Sequence, residues 1–245
     1  MSGHSKWANI KHKKGKADAL RGKITTKISR EITIAVRMGG ADPTGNMKLK
    51  LALSKAKANN IPKDNIQRAI QKGAGALEGQ SFEEITYEGY GPCGVAVIVE
   101  TMTDNRNRTA SEMRHYFDKY GGNMGTTGCV SWSFDKKGVI VIDNEDGKLD
   151  EDSVLEAALE AGADDCEADG PTFAVYTSPD DFQTVASALE AKGYKFLSAE
   201  VEMVPQNYIK LTNEDDIKNM NKMLDMFEDN DDVQNVWHNW ENDEN

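Results

Sequence analysis

The stretch Val139–Val204, VIVIDNEDGKLDEDSVLEAALEAGADDCEADGPTFAVYTSPDDFQTVASALEAKGYKFLSAEVEMV, decides the fold class. Val139–Ile142, Asp165–Ala168, Thr172–Tyr176 and Lys195–Val204 read as strands, and Glu151–Ala161 and Pro179–Lys192 as helices. The order strand, helix, strand, strand, helix, strand is that of the ferredoxin-like split βαβ arrangement.

On the N-terminal side of this block, Glu83–Tyr90 alternates like a strand and Val95–Thr101 is a buried-strand run. Asn105–Lys119 reads as a helix and Val130–Phe134 as a further strand. On the far side, Asn213–Glu228 reads as a helix and Val233–Trp237 as a strand. Joined across the block, these pieces complete a second α/β set. The expected fold is therefore α+β: an N-terminal helical domain followed by two ferredoxin-like α/β domains, one inserted in the other. Residues 1–78 form the helical domain, 79–134 with 207–240 the middle domain, 135–206 the insert and 241–245 a polar tail.

The helical segment has its own periodicity. Ile24, Ile28, Ile32, Ala35 and Val36 share one side of a helix, with Lys23, Lys27, Arg30 and Arg37 opposite, and Gly39-Gly40 and Asp42-Pro43 end it. A second helix runs from Met47 to Asn59, with Leu49, Ala52, Leu53 and Ala56 inward and Lys48, Lys55 and Lys57 outward. Pro62 opens a third, carrying Ile66 and Ile70 one turn apart, and Gly73 stops it. The first residues, up to about position 22, are polar and weakly periodic and read as a mobile arm.

Charge divides the chain. Residues 1–75 hold seventeen Lys and Arg against four acids, a balance of +13, while the remainder holds twelve against thirty-seven, −25. The net charge of −12 hides this split. One end suits a polyanion, and the rest repels it. No apolar run approaches the ~18 residues of a membrane helix. The basic N-terminus lacks the apolar core of an export signal. Cys93, Cys129 and Cys166 fit neither a disulfide framework nor a Cys-x-x-Cys metal site, so reduced thiols in a cytoplasmic protein are expected.

Candidate binding residues follow from this. His4, Lys6, Lys11, His12, Lys13, Lys14, Lys16, Arg21 and Lys23 in the arm, continued by Lys27 and Arg30, are placed to track phosphates, and Trp7 among them to stack on an unpaired base. Arg106 and Arg108 lie where a helix begins, with Asp104 as the expected cap. Cations there are mildly unfavourable, which points either to a bound anion or to an internal salt bridge. The glycines Gly121, Gly122, Gly125 and Gly128 follow a helix and precede a strand, the reverse of a dinucleotide loop. Two of the four histidines, His4 and His12, lie in the arm, and no catalytic or metal-site spacing is present. Neither an enzymatic activity nor a cofactor or metal is expected, and nothing in the sequence specifies an oligomeric state.

Eight motifs resemble the YebC/PmpR family, which includes a mitochondrial translational activator of cytochrome oxidase. They are GHSKWANIKHKK at Gly3–Lys14, RGK at Arg21–Lys23, GG-x-DP at Gly39–Pro43, KAKANN-x-P at Lys55–Pro62, YEGYGP at Tyr87–Pro92, TDNRNRT at Thr103–Thr109, KYGGNMG at Lys119–Gly125 and DDVQNV at Asp231–Val236. Thr25, Cys93 and Trp237 depart from the family's usual Phe, Gly and Tyr, and none of these removes a basic residue of the arm. The resemblance implies a non-catalytic protein with a helical domain and two α/β domains. It also implies a partner that is promoter DNA, in transcriptional regulation, or ribosomal RNA, in translation. With no helix-turn-helix signature and no base-reading cluster on one helix face, backbone-dominated binding is expected, with a lean towards the ribosome. An acidic protein–protein adaptor is the alternative from another class.

Overall fold

The computed structural model describes residues 21–75 and 82–241. Three helices come first: α1 (Arg21–Gly39), α2 (Met47–Ala58) and α3 (Lys63–Gly73). One buried residue, Asn46, joins the first two. Its side-chain oxygen accepts from the Leu49 N–H and caps α2, while its amide donates to Ala35 O and Gly40 O at 2.7 and 2.8 Å and closes α1. A Cβ on Gly39 would lie 2.7 Å from that amide nitrogen, so the α1 terminus needs glycine there. Ile28, Ile32, Ala35 and Val36 of α1 pack with Leu49, Ala52 and Ala56, as the apolar spacing predicts, and with Ile61 and Ala69, while Ile24, Leu53, Ile66 and Ile70 are partly buried against them.

The chain continues through β1 (Glu83–Tyr90), β2 (Ala96–Thr103), α4 (Arg106–Lys119) and β3 (Asn123–Met124). It then forms β4 (Phe134–Asp143), α5 (Glu151–Glu160), β5 (Asp165–Asp169), β6 (Thr172–Thr177), α6 (Phe182–Ala191) and β7 (Phe196–Pro205). Next come α7 (Glu214–Asp229) and β8 (Val233–His238). Among the described residues, 21–75, 82–132 and 211–240 form one compact unit and 133–210 with 241 another. The fold is α+β.

In the first unit β1 and β2 pair antiparallel from Glu83↔Thr103 to Tyr90↔Ala96, in a sheet of order β3-β1-β2-β8. Buried Met113 and Phe117 of α4 and Met220, Met223 and Phe227 of α7 build its core, and the Phe117 and Phe227 rings meet edge-on at 5.1 Å. The expected strand Val130–Phe134 is not formed. Val130 and Ser131 turn their N–H groups to the Glu88 carboxylate, a short 3-10 turn covers Ser131–Ser133, and Phe134 already belongs to β4. The two-residue β3 takes the place of that strand beside β1.

In the second unit the order is β5-β6-β4-β7, all antiparallel, which is the ferredoxin-like arrangement. Val154, Ala157 and Ala158 of α5 and Val185, Ala186 and Leu189 of α6 are buried. Helix α6 starts at Phe182, not at Pro179, because Ser178 and Asp181 bond each other in a turn ahead of it.

Candidate nucleic-acid interface

Helix α1 carries the charges that the sequence places on an open face. Its polar side instead meets the end of α7. The last turn of α7 has no basic residue and ends in Glu228 and Asp229, and its continuation holds Asp231 and Asp232. Orphan carbonyls and acids at the negative end of a helix dipole call for cations, and α1 supplies them. Lys27 Nζ donates to Glu228 O, and Arg30 donates to Asp231 O and, at 2.7 Å, to Asp232 Oδ1. Two turns on, Arg37 donates to Phe82 O at 2.9 Å. The expectation of an exposed cationic stripe along α1 is corrected accordingly: Lys27 and Arg30 are half-buried and committed to internal acceptors.

Asp232, 3% exposed, is the hub of this contact. Arg108 donates to its Oδ2 at 2.7 Å and Thr109 Oγ1 to the same oxygen at 2.9 Å. Burial alone would push this carboxyl up, but the hydrogen bonds from Arg108, Thr109 and Arg30 outweigh it and hold it below the ordinary carboxylate range. Arg108 also pairs with Asp104 at 3.0 Å, so of the two readings of this helix start the internal salt bridge is the geometry found for Arg108. Asn105, not Asp104, caps α4 through the Arg108 N–H, because the Asp104 carboxylate is drawn to the Arg108 guanidinium. Arg106, exposed like Arg108, differs in that among the described residues it makes no ion pair.

Exposed cations lie on α2 and α3. Lys48, Lys50, Lys57, Lys63 and Arg68 are all exposed, while Lys55 pairs with Glu31 at 3.1 Å. Lys63 and Arg68 enter the sequence reading only as part of the +13 total. Their outward positions on a helix whose inward face is Ile66, Ala69 and Ile70 are the signal that singles them out. His4, Lys6, Trp7, Lys11, His12, Lys13, Lys14 and Lys16 lie outside the described residues, as do the side chains of Arg21 and Lys23.

The three thiols are poor nucleophiles. Hydrogen bonding to Asp216 raises the pKa of Cys93, burial and Glu88 raise that of Cys129, and burial with Asp165 pushes Cys166 up to about 11. At Gly121 and Gly128, φ values of 79° and 90° place the backbone in the left-handed region, as a helix stop and a tight turn require. Among the described residues no helix is long and apolar enough to cross a membrane, and no group of three or more His, Cys, Asp or Glu could hold a metal ion.

Comparison with known proteins places this geometry. The chain is 60% identical over 244 residues to a "probable transcriptional regulatory protein" of Ruminiclostridium cellulolyticum, covering 100% of this chain and 98% of that one. It is 58% identical to a protein of the same name from Trichlorobacter lovleyi, covering 98% and 96%. A crystal structure of a conserved hypothetical protein from Aquifex aeolicus, 45% identical, superposes with a TM-score of 0.86 over 96% of each chain. Residues 5–76 match the model of the TACO1/YebC N-terminal domain, and residues 82–240 that of the TACO1/YebC second and third domain. The chain belongs to the TACO1/YebC family.

Proposed function

We propose that this protein is a non-enzymatic regulator of gene expression that works in the cytoplasm by gripping nucleic-acid phosphates. The arm residues His4, Lys6, Lys11, His12, Lys13, Lys14, Lys16, Arg21 and Lys23 act with the exposed cations of α2 and α3. Trp7 stacks on an unpaired base, and Arg106 offers one further phosphate contact. The observation that carries this reading is the +13 against −25 division of charge, with Lys57, Lys63 and Arg68 left exposed while Lys27, Arg30 and Arg37 of α1 turn to internal acceptors. The target proposed is folded ribosomal RNA. The exposed Lys48, Lys50, Lys57 and Lys63 of α2 and α3 suit tracking a backbone, while Gln67, Arg68 and Gln71, exposed together on α3, are the side chains available to reach base edges. The relatives' names favour a second reading, binding to promoter DNA in transcriptional regulation.

Changing Lys57, Lys63 and Arg68 together to Gln in the full chain tests the interface. If each contacts a phosphate, the log–log salt dependence of binding should flatten by roughly two to three units. Melting should be unchanged, because all three are exposed. Parallel titrations against a looped ribosomal RNA fragment and a DNA duplex separate the two targets. An unaltered slope on both would refute the interface and leave an acidic adaptor as the better account.

A further inference from the structure

Trp132 is 72% exposed, the most open of the large apolar side chains among the described residues. Its indole N–H donates to Cys129 O at 2.9 Å, and the Tyr90 hydroxyl donates to the same oxygen at 3.0 Å. Both rings thus spend their polar edges inside the protein. The loop beneath them is fastened from below. Glu88, 4% exposed, accepts the Gly128 N–H at 2.8 Å and the Val130 and Ser131 N–H groups at 2.9 Å each, and its backbone oxygen accepts from Gly125. Trp132 is thus held by its polar edge on a fastened loop, with its ring open to water.

The charge around it is also unusual. Residues 119–134 form the longest acid-free run between positions 82 and 241, sixteen residues in which Lys119 is the only charged side chain. Asn123, Thr126, Thr127 and Gly128 of this run are exposed. A polyanion repelled by the surrounding acidic sequence meets no carboxylate of this run. A peptide ligand would need the Trp132 and Tyr90 donors for its carbonyls, and both are taken. A cation would want a free carboxylate beside the ring, and that of Glu88 is buried beneath the loop and spent on three N–H groups. A nucleobase needs only an aromatic face and the absence of repulsion.

We propose that Trp132, with Tyr90 beside it, is a stacking platform for an unpaired nucleobase. The proposal rests on the nucleic-acid reading above and adds that the ligand is single-stranded where it meets this domain. The test uses the full chain, a single-stranded oligouridylate and an RNA duplex of equal length, with binding followed by fluorescence anisotropy. Trp132→Ala should weaken single-strand binding about 5- to 150-fold, the range that one lost base–aromatic stack spans. Duplex binding should change less than about twofold, since a paired base offers no free face. Trp132→Phe should restore most of the affinity. Saturating oligouridylate should quench the wild-type indole emission more than that of the Phe variant. Unchanged single-strand affinity in Trp132→Ala, or an equal loss on both ligands, overturns the platform. Loss of a protein partner with nucleic-acid affinity intact overturns it too. If the wild-type chain binds neither RNA, the nucleic-acid reading itself fails and takes the platform with it.

Discussion

Replacing Asp232 by Ala should unfasten the helical segment from the middle sheet, and the structure sets the scale. The Asp232 side chain is 4% exposed, that of Arg30 19% and that of Arg108 43%. Removing one partner of a buried ion pair costs about 3–5 kcal/mol, because the other charge stays out of water. Arg30 keeps Asp231 O as an acceptor, and Arg108 keeps Asp104 and solvent. The lower end, about 3 kcal/mol, is therefore expected, or roughly 6–12 °C in melting temperature for a unit of this size. A double-mutant cycle should give a larger coupling of Asp232 to Arg30 than to Arg108, whose exposure admits water. Acid provides a second reading. The folded carboxyl lies below its unfolded value, so its contribution is present above an unfolded pKa of about 3.9 and is lost as pH falls through the lower folded pKa. The stability gap between wild type and Asp232→Ala should be flat from about pH 7 to 5 and close below about 4. Chemical denaturation across pH checks both. A cost under about 1 kcal/mol, or a gap that widens in acid, would refute this account of the hub.

The two arginines of the TDNRNRT motif should separate in the same assays. Arg106→Gln should leave the melting temperature unchanged and weaken nucleic-acid binding, whereas Arg108→Gln should lower the melting temperature through its bond to Asp232. Gly138→Ala should destabilise the insert by about 1–3 kcal/mol, read by denaturant titration. A Cβ there would lie 2.3 Å from Thr177 Oγ1 and 2.7 Å from the Phe182 ring, both held in the β4–β6–α6 core.

Much of the architecture was legible locally. The alternation in Glu83–Tyr90, the run Val95–Thr101 and the stripe of Ile28, Ile32, Ala35 and Val36 carry their periods within a few residues, and a half-buried strand or helix needs no more. The cap that Asn46 supplies is visible only in the structure, whereas Gly39-Gly40 and Asp42-Pro43 mark the end of α1 in the sequence. The charge division is likewise a property of composition alone. Val130–Phe134 misleads because its residue types suit a strand, while the N–H groups of Val130 and Ser131 are claimed by Glu88, some forty positions earlier in the chain. A window of local sequence does not contain that partner.

The destination of each charge was decided only in three dimensions. By sequence Lys27 and Arg30 are indistinguishable from Lys57 and Lys63: basic residues opposite an apolar stripe. Tertiary structure turns the first pair onto the carbonyls and carboxylate at the end of α7, some two hundred residues away, and leaves the second pair in water. Arg106 and Arg108, two positions apart, part in the same way, because one turn of α4 aims only Arg108 at Asp232. Residue type and period determine which segments form and how much charge each carries. Which of those charges remains free for a partner depends on the long-range packing that brings a carboxylate or an orphan carbonyl within hydrogen-bonding distance.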